Sequence, residues 1–154
     1  MANTYTQLNV QFVFAPRYRN ALIRPEWTAR FHQYTTAIVQ ANKHRLLQIN
    51  SMADHTHMLV GMRTHQSVAD LLQKIKADTS KWFKTQQSRY DQPFAWQDGY
   101  GAFSYSRQDV DTVIRYIQNQ AEHHKGICFP DEYRLMLNEA GIEWKEEYIF
   151  REPE

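Results

Sequence analysis

The sequence predicts an α+β fold, and three patterns lead to that class. Residues 5–14 alternate polar and apolar side chains with the two-residue period of a strand. Two later segments, 27–39 and 68–83, repeat apolar residues at the spacing of an amphipathic helix. Short apolar runs bounded by turn residues predict further strands. The resulting order, β-α-β-β-α-β, is that of a ferredoxin-like or RRM-like sheet with added C-terminal helices.

Local signals mark the ends of several elements. Ser67 can cap the second helix, with Asp70 three residues later, and Ser106 can begin the third. The pair Asp98-Gly99 favours a turn between two short strands. The expected strands cover residues 5–14, 45–51, 55–62, 94–96 and 102–105, and the expected helices cover 27–39, 68–83, 106–124 and 131–140.

Length and composition predict one domain over residues 1–154, located in the cytoplasm. A chain of 154 residues can bury a hydrophobic core without disulfides. Cys128 is the single cysteine, which excludes an intrachain disulfide and a cysteine-based zinc site. The sequence has no apolar run near the ~18 residues of a membrane span and no signal-peptide pattern at its start.

Charge is distributed unevenly along the chain. Residues 1–142 carry 16 Lys and Arg against 12 Asp and Glu, whereas the acidic tail, residues 143–154, carries 2 against 5. A modestly basic body is compatible with a nucleic-acid partner, although many proteins without such a partner have the same balance.

Two histidines on one expected strand form the first candidate site. His55 and His57 are two residues apart, so they point to the same face of a strand, about 7 Å apart at Cα given a rise of roughly 3.3 Å per residue. Two imidazoles in this arrangement can converge on one metal ion. The alternative is a pair of histidines with no ligand on a sheet face, so the motif requires a further group.

The third expected helix supplies such a group. Tyr116 and Gln120 are four residues apart and share one helix face, which places a nucleophile and a ligand together. His124 continues this stripe, either as a residue that supports the ligands from outside the coordination shell or as part of a solvated helix end. In the alternative interpretation, Tyr116 packs in the core beside Val113 and Ile117.

Several segments, in order, resemble one protein family. The chain is similar to the single-tyrosine transposases of insertion sequences, which are TnpA-like members of the His-hydrophobic-His (HUH) class. The resemblance spans nearly the whole chain. The matching segments are Asn-Thr-Tyr-Thr-Gln at 3–7, Asp-His-Thr-His-Met-Leu-Val at 54–60, Trp-Gln-Asp-Gly-Tyr-Gly-Ala-Phe-Ser-Tyr-Ser at 96–106, Tyr-Ile-Gln-Asn-Gln-Ala-Glu-His-His-Lys at 116–125 and Phe-Pro-Asp-Glu-Tyr at 129–133.

The resemblance implies a role for each candidate residue. Tyr116 is the nucleophile that becomes linked to a 5′ phosphate, and His55, His57 and Gln120 are ligands of Mg²⁺ or Mn²⁺. The implied substrate is single-stranded DNA with hairpins at the ends of an insertion sequence. The implied assembly is a homodimer in which active sites can form in trans. Thr56 departs from the family, which usually has a bulky apolar residue there, and Thr56 should face away from the histidines.

Residues that bind DNA are less well defined by the sequence. Lys74, Lys81 and Lys84 share one side of the second helix, and Arg17 and Arg19 flank Tyr18 in the loop after the first strand. An ordinary solvated surface explains these charges equally well.

Two other functions remain open at this point. One is another enzyme of the same class that uses one tyrosine for related nicking, such as a relaxase, a replication initiator or a repeat-associated transposase. The other is a ferredoxin-like module that binds nucleic-acid hairpins without cleaving them. The second predicts no covalent adduct with DNA.

Overall fold

The computed structural model describes residues 3–18 and 22–150. Short 3₁₀ turns cover Arg107–Asp109 and Glu146–Tyr148. The predicted α+β class is confirmed. The main elements are β1 (Leu8–Phe14), α1 (Pro25–Ala41), β2 (Arg45–Met52), β3 (His55–Met62), α2 (Val68–Gln86), β4 (Gly101–Tyr105), α3 (Val110–Gln118), α4 (Gln120–His123) and α5 (Phe129–Glu139).

The four strands form one antiparallel sheet in the order β2-β3-β1-β4. The two central strands, β1 and β3, are paired so that Val13 lies opposite His57. Val13 also lies opposite Gly101 of β4. The metal-ligand candidate His57 is therefore on a central strand, where pairing on both sides fixes the backbone.

Helices cover both faces of the sheet, because successive side chains of a strand point to opposite faces. On one face, Met58 and Val60 of β3 belong to a core cluster with α1 and α2. On the other face, Leu59 packs against Val113 and Ile117 of α3. His55 and His57 share the face of Leu59, so they lie in the layer between the sheet and the C-terminal helices.

Two local predictions at the second helix and the third strand are confirmed. The Ser67 hydroxyl accepts a hydrogen bond from the Asp70 amide at 3.0 Å and so caps α2. Thr56 faces away from the histidines, and its hydroxyl lies 2.9 Å from the hydroxyl of Ser51. Ser51 is in turn 2.9 Å from Nε2 of His32 on α1. Thr56 therefore belongs to the α1 layer.

Two strand predictions are wrong in detail. The first strand begins at Leu8 rather than at residue 5. Tyr5 is 96 % exposed, so the segment before Leu8 buries no apolar side chain. The segment 94–96 forms only an isolated bridge between Pro16 and Trp96. Its aromatic rings instead pack in the core of the α1 and α2 layer.

The predicted helix over 106–124 is interrupted. Ser106 bonds the Asp109 side chain at 3.2 Å instead of capping a backbone amide, and a 3₁₀ turn precedes α3. Asn119, with φ −96° and ψ 20°, separates α3 from α4. Tyr116 and Gln120 therefore belong to two consecutive helices. The last helix begins at Phe129 because Pro130 favours the first turn.

A glycine positions the last helix against the sheet. A Cβ atom at Gly101 would lie 2.8 Å from Cε1 of Tyr133, so the Tyr133 ring packs where a side chain would stand. Ile149 and Phe150 join the same cluster, which anchors the described part of the acidic tail. Within residues 3–18 and 22–150, no helix has the length and apolarity needed to cross a bilayer.

Candidate active site and metal centre

The two histidines of β3 are buried side by side beneath the C-terminal helices. His55 is 1 % exposed and His57 is fully buried, and their ring centroids lie 5.1 Å apart. The prediction that they share a face is confirmed. Phe129, the first residue of α5, stacks in parallel on the His55 ring at 4.1 Å. These histidines therefore lie within the protein interior, beneath the C-terminal helices.

The helices α3 and α4 bring two further predicted residues to the histidines. Oε1 of Gln120 lies 2.9 Å from Nε2 of His55, and the Tyr116 ring lies 5.8 Å from the His57 ring, edge to face. The Asn50 amide donates a hydrogen bond to the Ile117 carbonyl at 2.9 Å, which attaches the end of α3 to β2. Tyr116 and Gln120 thus reach the histidines of their own chain.

A carboxylate that the sequence analysis missed lies at the centre of this cluster. Glu132 of α5 is 1 % exposed. Its Oε1 lies 3.1 Å from Nε2 of His57 and 3.6 Å from Nε2 of His55. Its Oε2 accepts hydrogen bonds from the Tyr116 hydroxyl and, at 3.1 Å, from the Gln120 amide. Glu132 therefore contacts every candidate residue of the catalytic and metal sites.

A sequence signal for Glu132 does exist. Phe129, Tyr133 and Leu137 form the buried stripe of α5, and Glu132 lies on the same side. A charged residue on the apolar face of a helix is uncommon unless it is paired. The spacing shows that Glu132 is buried, but it does not show which groups Glu132 meets.

His124 closes the cluster on its α4 side. Its Nε2 lies 3.1 Å from Oε1 of Gln120 and 3.1 Å from Oε1 of Glu132. Its Nδ1–H donates a hydrogen bond to the Ile127 carbonyl at 2.7 Å. His124 thus contacts the candidate ligands directly, through the nitrogen that faces them.

Burial and hydrogen bonding set the protonation of the three central groups. Burial, reinforced by the Glu132 carboxylate, raises the pKa of Tyr116 well above its usual range, so its hydroxyl stays protonated. Burial opposes ionisation of Glu132, but the hydrogen bonds from His57 and Tyr116 outweigh it and hold the pKa of that carboxyl well below its usual range. Burial lowers the pKa of His57 to about 4, which keeps its ring neutral at pH 7.

Polar groups behind the histidines fix their ring orientations. The Asp54 carboxylate accepts a hydrogen bond from Nδ1 of His55 at 2.7 Å. Nδ1 of His57 lies 2.9 Å from the side-chain amide of Gln11, whose oxygen accepts a hydrogen bond from Tyr105 at 3.1 Å. The Asp54 carboxylate thus selects the His55 tautomer whose Nε2 carries the lone pair, as partners of metal-binding histidines do.

These residues fit a divalent metal ion. Ring nitrogens of His55 and His57 and a carboxylate oxygen of Glu132 all lie within 4.8 Å of one another. The side-chain oxygen of Gln120 faces the same point. This mixture of nitrogen and oxygen donors suits a first-row divalent ion.

The candidate DNA-binding residues lie apart from this cluster. Lys74, Lys81 and Lys84 are exposed on α2, which packs on the opposite face of the sheet from the histidines. Arg17 is exposed, with its guanidinium 5.3 Å from the centre of the Tyr18 ring.

Two further basic residues belong to the surface of α2 and the loop after β1. Arg19 lies outside the described residues. Lys76, which the sequence analysis did not single out, bonds the carbonyls of Gln97 and Gly99 at 3.0 and 2.6 Å. Burial lowers the pKa of Lys76 to about 8. Lys76 thus joins α2 to the loop before β4.

Solved structures with a similar fold include two transposases. A candidate transposase from Deinococcus radiodurans R1 has a TM-score of 0.61 at 18 % identity, and the match covers 78 % of this chain and 95 % of that chain. A REP-associated tyrosine transposase bound to a REP hairpin has a TM-score of 0.56 at 13 % identity, with coverage of 82 % and 74 %. At these identities the likeness concerns the fold.

The sequence comparison identifies the family. Among curated proteins, no relative with a matching sequence was found. The sequence profile described as "Transposase IS200 like" matches residues 4–120, a range that includes both histidines, Tyr116 and Gln120. This match covers well over half of the chain. The protein therefore belongs to the family of IS200-like transposases.

Proposed function

We propose that this transposase cuts and rejoins single-stranded DNA through Tyr116, with a divalent ion held by His55, His57 and Gln120. The observation that carries the proposal is the convergence of the Tyr116 hydroxyl with two buried histidines and one amide oxygen inside a single chain. Mg²⁺ or Mn²⁺ is the proposed ion. When bound, it supplies a Lewis acid that polarises the scissile phosphate.

The side chains perform the remaining steps. Tyr116 gives up its proton, its oxygen forms a bond to phosphorus, and the bond from phosphorus to the 3′ oxygen breaks. The 3′ oxygen takes a proton, which leaves a free 3′ hydroxyl and a 5′-phosphotyrosine. Because the new ester retains the phosphodiester's energy, attack by another 3′ hydroxyl rejoins DNA without ATP.

Glu132 orients the nucleophile before the reaction. It accepts the hydrogen bond of the Tyr116 hydroxyl and is held by hydrogen bonds from Gln120 and His57. A phenol with a raised pKa is a weak nucleophile. The resting arrangement therefore positions Tyr116 without activating it, and we propose that activation awaits DNA and metal.

DNA hairpins at insertion-sequence ends are the proposed recognition element. The similar REP-associated transposase is bound to a REP hairpin, which supports this choice. The strand order and helix placement support assignment of the core to the ferredoxin-like type. We propose that DNA phosphates bind to basic side chains of the α2 surface and the loop after β1, namely Arg17, Arg19, Lys74, Lys81 and Lys84.

A homodimer is the proposed assembly. A direct test shows whether each active site uses Tyr116 of its own subunit or of the other subunit. Tyr116 reaches His57 within one chain, so cis active sites are possible without exchange of α3. Mixed dimers of His57→Ala and Tyr116→Phe subunits distinguish the two arrangements. Restored cleavage indicates trans sites, whereas inactive mixed dimers indicate cis sites.

The test of the proposed function is a covalent adduct assay. The protein is incubated with a single-stranded oligonucleotide that carries an element-end hairpin and its flank, with Mg²⁺, Mn²⁺ or EDTA, and run on a denaturing gel. We expect a metal-dependent adduct that Tyr116→Phe abolishes and that the exposed control Tyr90→Phe retains. Hairpin binding without any adduct would contradict cleavage and favour a binding module.

A further inference from the structure

We propose that His124 and Glu132 are also ligands of the metal ion, so that five side chains hold it and transition ions bind more tightly than Mg²⁺. This inference rests on the proposed function, because it concerns the same centre. The family profile ends at residue 120, so both additional ligands lie beyond the matched range.

The hydrogen bonds of His124 direct a lone pair toward the centre. A backbone carbonyl can only accept, so the 2.7 Å contact with Ile127 places a proton on Nδ1 of His124. In the neutral ring, Nε2 then carries a lone pair. That lone pair faces Oε1 of Gln120 and Oε1 of Glu132, each at 3.1 Å.

His55 has the same arrangement on the other side of the centre. The Asp54 carboxylate, 2.7 Å from Nδ1, also accepts, so Nε2 of His55 carries the lone pair in the neutral ring. This nitrogen lies 2.9 Å from Oε1 of Gln120 and 3.6 Å from Oε1 of Glu132.

With both rings neutral, Nε2 of His55, Nε2 of His124 and Oε1 of Gln120 all present lone pairs to one another, and Oε1 of Glu132 adds another beside His124. Electron-pair donors at hydrogen-bond distance with no hydrogen between them repel one another. A divalent cation bound among these donors is coordinated by their lone pairs, which removes the repulsion.

His57 can join the set by rotation of one neighbouring amide. Its Nε2 lies 3.1 Å from Oε1 of Glu132, and its Nδ1 faces the side-chain amide of Gln11. If the Gln11 amide turns by half a rotation, its oxygen accepts a hydrogen bond from Nδ1–H of His57. The Tyr105 hydroxyl, which can donate or accept, remains a partner in either orientation.

The distances between donor atoms fit a common coordination shell. Donors about 2.1 Å from an octahedral ion lie about 3.0 Å from their neighbours in the shell. The contacts from Nε2 of His57 and of His124 to Oε1 of Glu132 are both 3.1 Å, and His55 to Gln120 is 2.9 Å.

The donor set also determines the preferred ion. Three imidazoles favour Mn²⁺, Co²⁺, Ni²⁺ and Zn²⁺, with affinity rising along the first-row series, whereas Mg²⁺ prefers oxygen donors and retains its water. We therefore expect Co²⁺ and Zn²⁺ to bind at least tenfold more tightly than Mg²⁺ in the absence of DNA.

The first test counts imidazoles in the wild-type protein. X-ray absorption spectra of the Zn²⁺-loaded full chain, recorded without DNA, report the number of coordinated rings through their outer-shell scattering. Three rings support the inference. Two rings would overturn the five-ligand centre, which requires all three imidazoles. Because no variant is needed, misfolding of a variant does not affect this result.

The second test measures binding of Mn²⁺ alone by calorimetry. His124→Asn keeps a donor for the Ile127 carbonyl but removes the second nitrogen, and Glu132→Gln keeps the shape of the side chain but removes its charge. We expect each variant to lose at least about tenfold in affinity. The matched control is His65→Gln, since His65 is exposed and bonds the Asn42 carbonyl away from the centre.

The outcomes separate this inference from the proposed function. Circular dichroism melts of the metal-free variants confirm that they are folded. Wild-type Mn²⁺ affinity in either folded variant would overturn the five-ligand centre, while a Tyr116-dependent DNA adduct would still support cleavage. A five-ligand centre without any adduct would instead overturn the proposed cleavage.

Discussion

The Tyr116 hydroxyl donates a hydrogen bond to the buried carboxylate of Glu132, 16 residues further along the chain. The same carboxylate contacts His55 and His57 on β3. A single acidic side chain thus joins the proposed nucleophile to the proposed metal ligands. The helix that carries Glu132 is held in place by packing of Tyr133 over Gly101 and of Phe129 on His55.

We expect Tyr116→Phe to abolish the covalent adduct with a loss of only about 1–3 kcal/mol in the free energy of unfolding. The change removes one hydrogen bond to a charged group, and Glu132 keeps its bonds from Gln120 and His57. Urea denaturation in EDTA measures the stability. A variant that no longer folds would show that the hydroxyl has a larger structural role.

Gly101→Ala is expected to destabilise the protein by about 1–3 kcal/mol, because the new methyl group would overlap the Tyr133 ring. We also expect weaker Mn²⁺ binding, since Tyr133 neighbours Glu132 on α5. Urea denaturation and calorimetry measure the two effects. The control is Gly126→Ala, where a methyl group meets nothing within 4 Å. Equal stability of both variants would contradict the role of Gly101.

Asp54→Asn is expected to weaken Mn²⁺ binding by roughly 10–100-fold, because the carboxylate orients His55 and increases its basicity. Calorimetry on the protein without DNA checks the result. Asp78→Asn on α2, across the sheet from the centre, should bind like the wild type. Unchanged affinity in Asp54→Asn would show that Phe129 and Gln120 orient His55 without the carboxylate.

The metal-free protein should lose stability as the pH falls from 6.5 toward 4. Burial lowers the pKa of both His32 and His57 from 6.5 to about 4, so in this window the unfolded chain binds protons that the folded chain excludes. The free energy of unfolding therefore decreases with decreasing pH and is unaffected by these two groups above 6.5.

His32 allows this effect to be measured away from the metal centre. In His32→Gln, the slope of unfolding free energy against pH should decrease by up to one proton in that window. Urea denaturation at a series of pH values measures the slope. An unchanged slope would mean that His32 is protonated equally in the folded and unfolded chains.

Much of the secondary structure was predictable because short-range rules govern it. A two-residue period placed His55 and His57 on one face of a strand, and the hydroxyl at Ser67 marked the start of α2. The break at Asn119 was missed because the stripe from Tyr116 to His124 continues across it. The segment 94–96 has the composition of a strand, but its aromatic rings pack into the core instead.

By itself, the sequence determined the order of the core elements and the residues that resemble a transposase site. Only the tertiary structure showed that Glu132 reaches His57, 75 residues away in the chain, and that His124 faces the same point. The period of an amphipathic helix indicates which side chains are buried but does not say against which element. Packing of Tyr133 over Gly101 and of Phe129 on His55 decides that partner, because these contacts fix where α5 meets the sheet.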